Sequence, residues 1–587
     1  MSEIDPITFQ IISDSLEAIA TEMAGLVERT GVHPLFQEVH DYSTGVLYYD
    51  GSEVSLVART AKSALPNHIF ASIAAVRGIV ARFGDDINPG DVFIINDPYL
   101  GGNHNADWTT MTPVFVGERR FVIPSVRGHM SDFGGVVAGG YNPDAREIWQ
   151  EGYRIPPVRL VSQGERLEDI WSLILANSRL AETLRGDLLA LVGGCNLGAR
   201  RVEALVDKYG ADVLEQAIER SLAYTAKRFG TEIAQWPDGT YVGERLLDHD
   251  SAGNRDILVR ATITVDGELL KVDFEGSSPQ SPGYINSVYG NTVSWVLVSL
   301  GVILPDDLKI NSGILRQIEV AAPPGSVVNS LPPAPTMFSS IVIGSEIGDA
   351  VLKAFEQIAP HRAGSAGLGY CLCTTFGRDA RYDDSFYFTL EYGNTLSTAG
   401  GAYGTDGWGA MSTPHCPLVM ANVETQELQF PFLFETYEYA PDSCAPGRWR
   451  GVPAFLMRRS ITGSNPAWVN VTNEGYRHPL PGFVGGGAGA SSYAVLWPGT
   501  DREEIVTESA SNREMAPGDV LLTFKGGGGG WGPALERNPE AVRMDVLDGY
   551  VSRETARGLY GVVLAGEEPD LRIDAEATEQ LRAALLA

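Results

Sequence analysis

Two strand-like segments that fold back on each other constrain this chain more than any other feature of its sequence. Residues 109–116 and 120–126 both have strand-like composition, and a Gly-Glu dipeptide separates them. This arrangement predicts an antiparallel hairpin centred at residue 118, in which residues equally distant from the centre face each other. Pro113 and Pro124 each remove a backbone donor, which predicts edge positions or bulges for them.

The stretches on either side of this predicted hairpin, GGNHNADW and RGHMSDFGG, each place a histidine and an aspartate three residues apart. Pairing about residue 118 sets Asp107 opposite His129, and it sets His104 level with Asp132. Directly opposed residues have Cβ atoms about 5 Å apart, so the four side chains are predicted to collect at one end of the hairpin. Because a strand sends residues three apart to opposite faces, each His-Asp pair converges only on a turn, which the adjacent glycines allow.

Imidazole and carboxylate ligands together suit Zn, Mn or Fe(II), so this cluster is a candidate metal site. Three protein ligands with an open position are what a catalytic metal needs, because water or substrate must take the vacancy. The spacing alone leaves an alternative open, in which these are polar loop residues that hydrogen-bond the backbone near glycine turns.

The character of the chain changes about two fifths of the way along. Residues 166–235 have helical periodicity, whereas short β-like runs alternate with turn signals from about 236, and glycine becomes frequent beyond about 394. We therefore predict a multidomain α+β protein with a helical, α+β N-terminal third and a β-rich, glycine-rich remainder. The predicted regions are 1–235, which carries the candidate metal site, 236–390 and 391–587.

The formal net charge of −30 argues against nucleic acid and anionic membranes as partners, because both attract basic surfaces. No uninterrupted apolar run reaches the ~18 residues of a membrane span, and the N-terminus has no basic segment followed by an apolar core. These features predict a cytoplasmic protein. The five cysteines are too few and too scattered to predict a disulfide framework.

We interpret the other motifs as structural features rather than as functional sites. GGGGGWG contains G-x-G-x-x-G, but Pro533 and Pro539 follow closely, so its glycines are predicted to allow close backbone approach or positive φ rather than to bind a dinucleotide. No G-x-x-x-x-G-K-[ST] sequence occurs, so the chain has no P-loop of its own. Residues 248–250 are predicted to form a solvated turn and residues 415–416 a polar loop, and His68 is counted among the structural histidines.

Many segments resemble one family in the expected order along the chain: DPITFQII, HDYSTGVLYYDG, PGDVFIINDPYLGGNHNADWTTMTPVF, GHMSDFGG, IWQEGYRIPPVRL, PDSCAPGRWRG and GGGGGWGPALERNPEAVRMDVLDGYVS. The chain resembles the B subunit of the hydantoinase/oxoprolinase family, which also includes the large subunits of acetone and acetophenone carboxylases. Where many members have GGTHLPD and HHAD, this chain has GGNHNAD and GHMSD. The expected ligands are kept, so these differences bear on substrate choice.

The resemblance implies a metal held by the H-x-x-D segment and the later histidine, which here are His104, Asp107 and His129. The metal is expected to be Zn or Mn, with Fe as a further option. Asp132 matches the acidic residue of the following H-x-x-D, and Asp41 matches an acidic position in HDYSTG. Both are expected to have catalytic roles, either by holding a water or by orienting a ligand histidine.

The resemblance also implies a function and a partner. The expected function is that of the metal-bearing B subunit of an ATP-dependent cyclic-amide hydrolase, which acts on a hydantoin, oxoproline or lactam in a hetero-oligomer. An A-type subunit with an actin-like ATPase fold is expected to bind ATP and Mg²⁺ and to phosphorylate the substrate. Two alternatives remain: a subunit of a ketone carboxylase that uses bicarbonate, and a non-catalytic scaffold with a structural metal.

Overall fold

The described residues group into two compact units, each containing helices and sheets, which confirms the predicted multidomain α+β class. The first unit is formed by the described residues of Met1–Tyr241 and Arg260–Ile347, and the second by those of Val242–Val259, Gly348–Pro414 and Met420–Ala587. The boundaries near residues 235 and 390 stay a prediction. The computed structural model describes residues 4–60, 66–364, 369–390, 399–407 and 421–587, so residues 415–416 lie outside it.

The first helix shows how local sequence sets an element of the first unit. Asp5 Oδ1 accepts the backbone N–H groups of Ile7 and Thr8, both at 3.0 Å, and Pro6 takes the first helical position. An apolar stripe then faces the interior, and Gly31 caps the end. The helices of this region are α1 (Pro6–Thr30), α2 (Pro34–Gln37), α3 (Pro66–Phe83), α4 (Glu168–Ala176), α5 (Ala181–Tyr209), α6 (Ala211–Ile233) and α7 (Tyr289–Ile303).

An eight-stranded sheet in which all neighbouring strands are antiparallel forms the centre of the first unit. Its order is β2-β1-β6-β4-β3-β7-β8, and β5 pairs with β6. The strands are β1 (Tyr42–Tyr49), β2 (Val54–Arg59), β3 (Val92–Ile95), β4 (Asp107–Met111), β5 (Val114–Val116), β6 (Arg119–His129), β7 (Val158–Ser162) and β8 (Glu165–Arg166).

The predicted hairpin is present in the predicted register, since Asp107 pairs with His129 and Val114 with Val122. The expected edge or bulge position is wrong for Pro124, because β6 lies between β1 and β4. The backbone N–H of Thr112 donates to Pro124 O at 3.2 Å, so the carbonyl group of Pro124 points toward the short break between β4 and β5. The N–H that proline lacks therefore falls where the ladder is already interrupted.

The two faces of this sheet are covered by different helices. A Cβ added to Gly128 would lie 2.4 Å from the Phe36 ring of α2 and 3.0 Å from Leu191 of α5. Side chains alternate along a strand, so His129 points to the opposite face. That face contacts α3, because His68 of α3 lies 3.0 Å from Asp107. The candidate site thus lies in the interior between the sheet and α3.

The rest of the chain is rich in strands. A four-stranded sheet in the order β12-β11-β10-β9 consists of β9 (Gly239–His249), β10 (Arg255–Asp266), β11 (Leu269–Asp273) and β12 (Ile318–Ala321). Helix α8 (Gly344–Ile358) follows, preceded by a π-helical turn at Ser339–Ile343. Among the residues that the structure describes, no helix has the length and apolar character needed to cross a membrane.

Two sheets build the second unit, in the orders β14-β13-β17-β20 and β15-β16-β21-β18-β19, and a small pair β22-β23 follows. The strands are β13 (Cys371–Asp379), β14 (Ser385–Leu390), β15 (Phe432–Tyr439), β16 (Phe455–Ile461), β17 (Ser464–Asn473), β18 (Tyr493–Leu496), β19 (Glu504–Val506), β20 (Ser509–Met515), β21 (Val520–Lys525), β22 (Leu564–Ala565) and β23 (Arg572–Ile573). The helices are α9 (Val423–Gln429), α10 (Pro539–Leu547), α11 (Arg553–Gly558) and α12 (Ala575–Leu586).

The glycine-rich segments of the second unit pack backbone against backbone. A Cβ on Gly451 would lie 1.8 Å from the carbonyl oxygen of Gly528, and one on Gly527 would lie 1.9 Å from that of Val452. Of the glycines in the G-x-G-x-x-G match, Gly532 has a positive φ of 72°. Close approach and positive φ were the predicted reasons for these glycines, and both are confirmed.

A buried ionic network ties α10 to the glycine-rich segments. Asp545 on α10 accepts from Arg450 Nε at 2.8 Å and from Arg537 Nη2 at 2.8 Å. Arg537 also donates to both carboxylate oxygens of Asp406, at 2.6 and 2.8 Å. The Arg450 and Arg537 side chains are only 9 % and 2 % exposed, so Asp545 compensates two desolvated cations at once.

The prediction of a solvated turn at residues 248–250 is wrong, since all three residues are buried. Asp248 accepts backbone N–H groups from Tyr476, Arg477 and His478 at 2.7, 3.1 and 2.8 Å. The sequence pattern is that of an exposed turn, but the carboxylate instead organises a distant loop of the same unit. Buried carboxylates of this kind are stable because backbone donors replace water.

Candidate metal centre

Three side chains converge at the end of the β4–β6 hairpin. His104 lies on the turn before β4, Asp107 is the first residue of β4, and His129 is the last residue of β6. Each offers one ligand atom, and these atoms all lie within 4.8 Å of one another. The N–H of Asp107 donates to His104 O at 3.2 Å, which is the turn that the three-residue spacing requires. The predicted convergence of these three side chains is therefore present.

The hydrogen bonds of His104 determine which ring nitrogen is available. Its Nδ1 lies 2.6 Å from the carbonyl oxygen of Met337, which can only accept, so Nδ1 carries the hydrogen. In the neutral ring Nε2 then carries a lone pair, and it lies 2.8 Å from Asp107 Oδ1. A lone pair facing a carboxylate at this distance requires a proton or a metal ion between or beside the two atoms.

Asp107 is the hub of the cluster. Its Oδ2 accepts from His68 Nε2 at 3.0 Å and from Asn103 Nδ2 at 3.3 Å, and its Oδ1 lies 3.4 Å from His129 Nδ1. Burial raises the pKa of Asp107, but the charges of His104 and His68 outweigh it and hold that pKa well below its usual range. The carboxylate is therefore an anion, as a metal ligand must be.

The same interactions shift the pKa of His104 in the opposite direction to that of Asp107. Burial lowers the pKa of His104, but the charge and hydrogen bond of Asp107 outweigh it, so the net direction is upward. Without an ion, the pair is thus stabilised by a proton on His104. A metal ion and this proton would compete for the same nitrogen lone pair.

Contacts of both the backbone and the ring hold His129 in place. Its backbone N–H donates to Asp41 O at 3.1 Å, and its ring Nδ1 lies 3.7 Å from Asp41 Oδ2. The ring of Tyr141 stacks on the imidazole, with centroids 5.9 Å apart and planes at 12°. Within the described part of the chain, His129 Nε2 is buried without a hydrogen-bond partner. A buried nitrogen of this kind fits a donor set for a cation.

The structure brings Asp41 to this cluster, whereas Asp132 engages other partners. The Asp132 carboxylate receives Arg179 Nη1 at 2.8 Å, Arg179 N at 2.5 Å and Gly139 N at 3.2 Å. Burial raises the pKa of Asp132 more than Arg179 lowers it. Its contacts hold the loop that follows β6 in place.

Sequence reasoning placed His68 with the structural histidines, although its Nε2 lies 3.0 Å from Asp107 Oδ2. His68 lies in the first turn of α3, and its side chain is 2 % exposed. No local spacing relates it to the H-x-x-D stretch, which lies more than thirty residues further along the chain. Only the packing of α3 on the sheet places it there.

Replacing His68 with alanine is expected to weaken metal retention by about 10–100-fold, because groups that orient a ligand carboxylate have effects of this size. Bound metal is measured after equilibration against a series of chelator-buffered solutions. His478→Ala, which removes an imidazole that pairs with Asp256 in the second unit, is the matched control. Equal retention in the His68 variant and the wild type would contradict a role in orienting Asp107.

The chain is similar in sequence and in fold to known proteins. The family model described as hydantoinase B/oxoprolinase matches residues 5–534. The chain is 32 % identical to the caprolactamase subunit beta of Pseudomonas jessenii, with 100 % of both chains covered. It also matches the crystal structure of the ATP-dependent caprolactamase from Pseudomonas jessenii with a TM-score of 0.91 and 30 % identity, over 99 % of this chain and 100 % of that chain.

A further match is to the nucleotide-free structure of an acetone carboxylase, with a TM-score of 0.89 and 18 % identity, over 99 % of this chain and 83 % of that chain. At this identity the likeness shows the fold alone. The fold of this chain is that of the class that these structures represent. The chain belongs to the hydantoinase B/oxoprolinase family.

Proposed function

We propose that this chain is the metal-bearing B-type subunit of an ATP-dependent cyclic-amide hydrolase. Family membership supports this proposal, and so does the full-length similarity to a caprolactamase subunit beta. The relative's name describes a subunit, which supports a hetero-oligomer with an ATP-binding A-type subunit. Among cyclic amides, a lactam is the first substrate to test.

The observation that carries the proposal is the arrangement of His104, Asp107 and His129. The His104 nitrogen that faces Asp107 has its lone pair toward the carboxylate, and His129 Nε2 has no partner among the described residues. Two imidazoles and one carboxylate suit Zn or Mn, with Fe as a further option. Three protein ligands leave positions open for water and substrate, which favours a catalytic over a structural ion.

His104, Asp107 and His129 would hold a divalent ion, which would supply a bound water with a pKa lowered toward ~7 as a nucleophile near neutral pH. The protein's own groups prepare this site. The Met337 carbonyl orients His104, His68 and Asn103 orient the Asp107 carboxylate, and Tyr141 covers the His129 ring. The buried position of the cluster excludes bulk water from the reacting carbon.

The two predicted acidic residues take different parts in this proposal. Asp41 lies 3.7 Å from His129, where it would orient that imidazole or hold a proton during turnover. Asp132 would act indirectly, by holding the loop after β6 through its ion pair with Arg179. Both residues belong to the first unit, together with the expected ligands.

ATP and Mg²⁺ are assigned to the A-type partner, as the resemblance to the hydantoinase/oxoprolinase family implies. Amides resist hydrolysis because resonance stabilises them. Phosphorylation of the amide oxygen by the partner would trap the imidate form and create a good leaving group. The B-type subunit would then complete the ring opening.

The test is to purify the chain with its A-type partner and to measure ATP-dependent ring opening of caprolactam, 5-oxoproline and hydantoin. Ring opening by the complex, and by neither subunit alone, is the expected result. Incorporation of labelled bicarbonate into a ketone, without ring opening, would replace the hydrolase with a ketone carboxylase. Full hydrolysis after complete metal removal would leave the ion no catalytic part and favour the scaffold.

A further inference from the structure

A buried glutamate that takes no direct part in the candidate metal centre lies in the IWQEGYR segment. Glu151 follows the 3₁₀ turn Ile148–Gln150 and is fully buried. Its carboxylate accepts the backbone N–H of Thr336 at 2.9 Å and that of Met337 at 2.8 Å. In the part of the chain that the structure describes it has no cationic partner, and burial raises its pKa to about 8. A desolvated acid is costly, so its position calls for an explanation.

The segment that Glu151 holds is the one that orients His104. The carbonyl oxygen of Met337 lies 2.6 Å from His104 Nδ1. Two residues further on, Ser339 Oγ donates to Asn103 O at 2.6 Å. One short backbone segment therefore contacts the His104 ring and the residue before it, while Glu151 fixes the same segment from the other side.

We infer that Glu151 is a positioning residue for the candidate metal centre, acting on His104 through the 336–337 backbone. Holding both N–H groups fixes the peptide that follows them, and so aims the Met337 carbonyl at Nδ1. The ring is thereby held as the tautomer whose Nε2 lone pair faces Asp107 and would be available to an ion. This inference rests on the metal site of the proposed function.

The glutamate side chain is better suited to this task than its amide analogue, because both of its oxygens can accept an N–H, even when one of them carries the proton. Two adjacent N–H groups point toward Glu151, and each of its oxygens accepts one of them. A glutamine of the same shape has one acceptor oxygen, and its NH₂ group would face the second N–H. The buried N–H would then lose its partner, and the 336–337 backbone would shift or loosen.

The test uses Glu151→Gln, Glu151→Asp and the control Glu147→Gln, in the full-length purified protein. Glu147 lies four residues earlier at the start of the same 3₁₀ turn, is exposed, and loses the same charge. Metal affinity is measured by competition with a chelator, and the geometry at the ion by the visible spectrum of the Co²⁺-loaded protein. Thermal unfolding is followed in parallel.

The expected result is that Glu151→Gln unfolds near the wild-type temperature but binds metal roughly 10-fold more weakly, with an altered Co²⁺ spectrum. Glu151→Asp, which keeps two acceptor oxygens, is expected to recover part of the affinity, and Glu147→Gln should match the wild type. Wild-type affinity and spectrum in Glu151→Gln would overturn the inference and leave the metal site standing. Normal metal binding by the wild-type complex, without ring opening of caprolactam, 5-oxoproline or hydantoin, would instead overturn only the proposed function.

A measurement on the wild type covers the case in which the Glu151 variants fail to fold. Histidine-selective ¹⁵N labelling of the Zn²⁺-loaded protein reports which nitrogen of each ring carries hydrogen and which binds metal. The signals of His104 are identified by their loss in His104→Gln. Hydrogen on Nδ1 and metal on Nε2 is the expected result. Coordination through Nδ1, or a wild-type protein that binds no metal, would overturn the inference.

Discussion

Replacing His129 with alanine is expected to remove the bound metal and to lower ATP-dependent lactam hydrolysis by more than about 100-fold, beyond the range typical of residues that only orient ligands. The imidazole is one of three side chains in the described part of the chain that could together hold a metal ion, and it shares the end of the hairpin with Asp107. Its loss leaves two ligands, too few to hold a divalent ion against water. Metal content and turnover are measured on the complex with its A-type partner.

The control for this experiment is His361→Ala in the second unit. His361 is an exposed residue whose ring packs against Tyr403 with centroids 4.5 Å apart, and it is not one of the residues of the candidate metal centre. It should keep full metal content and turnover. A His129 variant with wild-type metal content and turnover would refute the assignment of the site.

Replacing Asp545 with asparagine is expected to destabilise the second unit by about 3–5 kcal/mol, the cost of removing one partner from a buried ion pair. The variant keeps the shape of the side chain but leaves Arg450 and Arg537 short of one negative charge. In the variant Arg537 keeps its ion pair with Asp406, whereas Arg450 loses its ion pair with the Asp545 carboxylate. Differential scanning calorimetry of the full chain should show the transition of this unit at a lower temperature.

Asp548→Asn is the matched control, since Asp548 is an exposed residue at the C-terminal end of the same helix. It removes the same charge without desolvation and is expected to change stability by less than about 0.5 kcal/mol. The metal content of both variants should equal that of the wild type. Equal unfolding temperatures for the two variants would show that the buried network adds little to stability.

Local rules predicted the elements that depend on neighbours in the sequence. The Asp5 cap and the apolar stripe of α1 follow from capping and helical periodicity, and both are present. The register of β4 with β6 follows from the length of the connection, because the centre of a hairpin fixes which residues of its two strands pair. The convergence of His104, Asp107 and His129 depends on that register and was therefore accessible.

Contacts between distant segments could not be predicted from such local rules. His68, Met337 and Glu151 lie far from the H-x-x-D stretch, and no spacing rule relates them to it. The burial of Asp248 was missed for the same reason, because its partners at 476–478 lie more than two hundred residues further on. A turn-like sequence predicts exposure only where no remote loop covers it.

The sequence by itself determined the hairpin and the three side chains that meet at its end, because both follow from short-range geometry along one folded ribbon. The tertiary structure alone decided how those side chains are oriented and which ring nitrogen is available. Orientation is set by the Met337 carbonyl and by His68, which packing brings from elsewhere in the first unit. The residue types of the candidate ligands are thus set by the local sequence, whereas their protonation depends on partners that only the folded chain brings together.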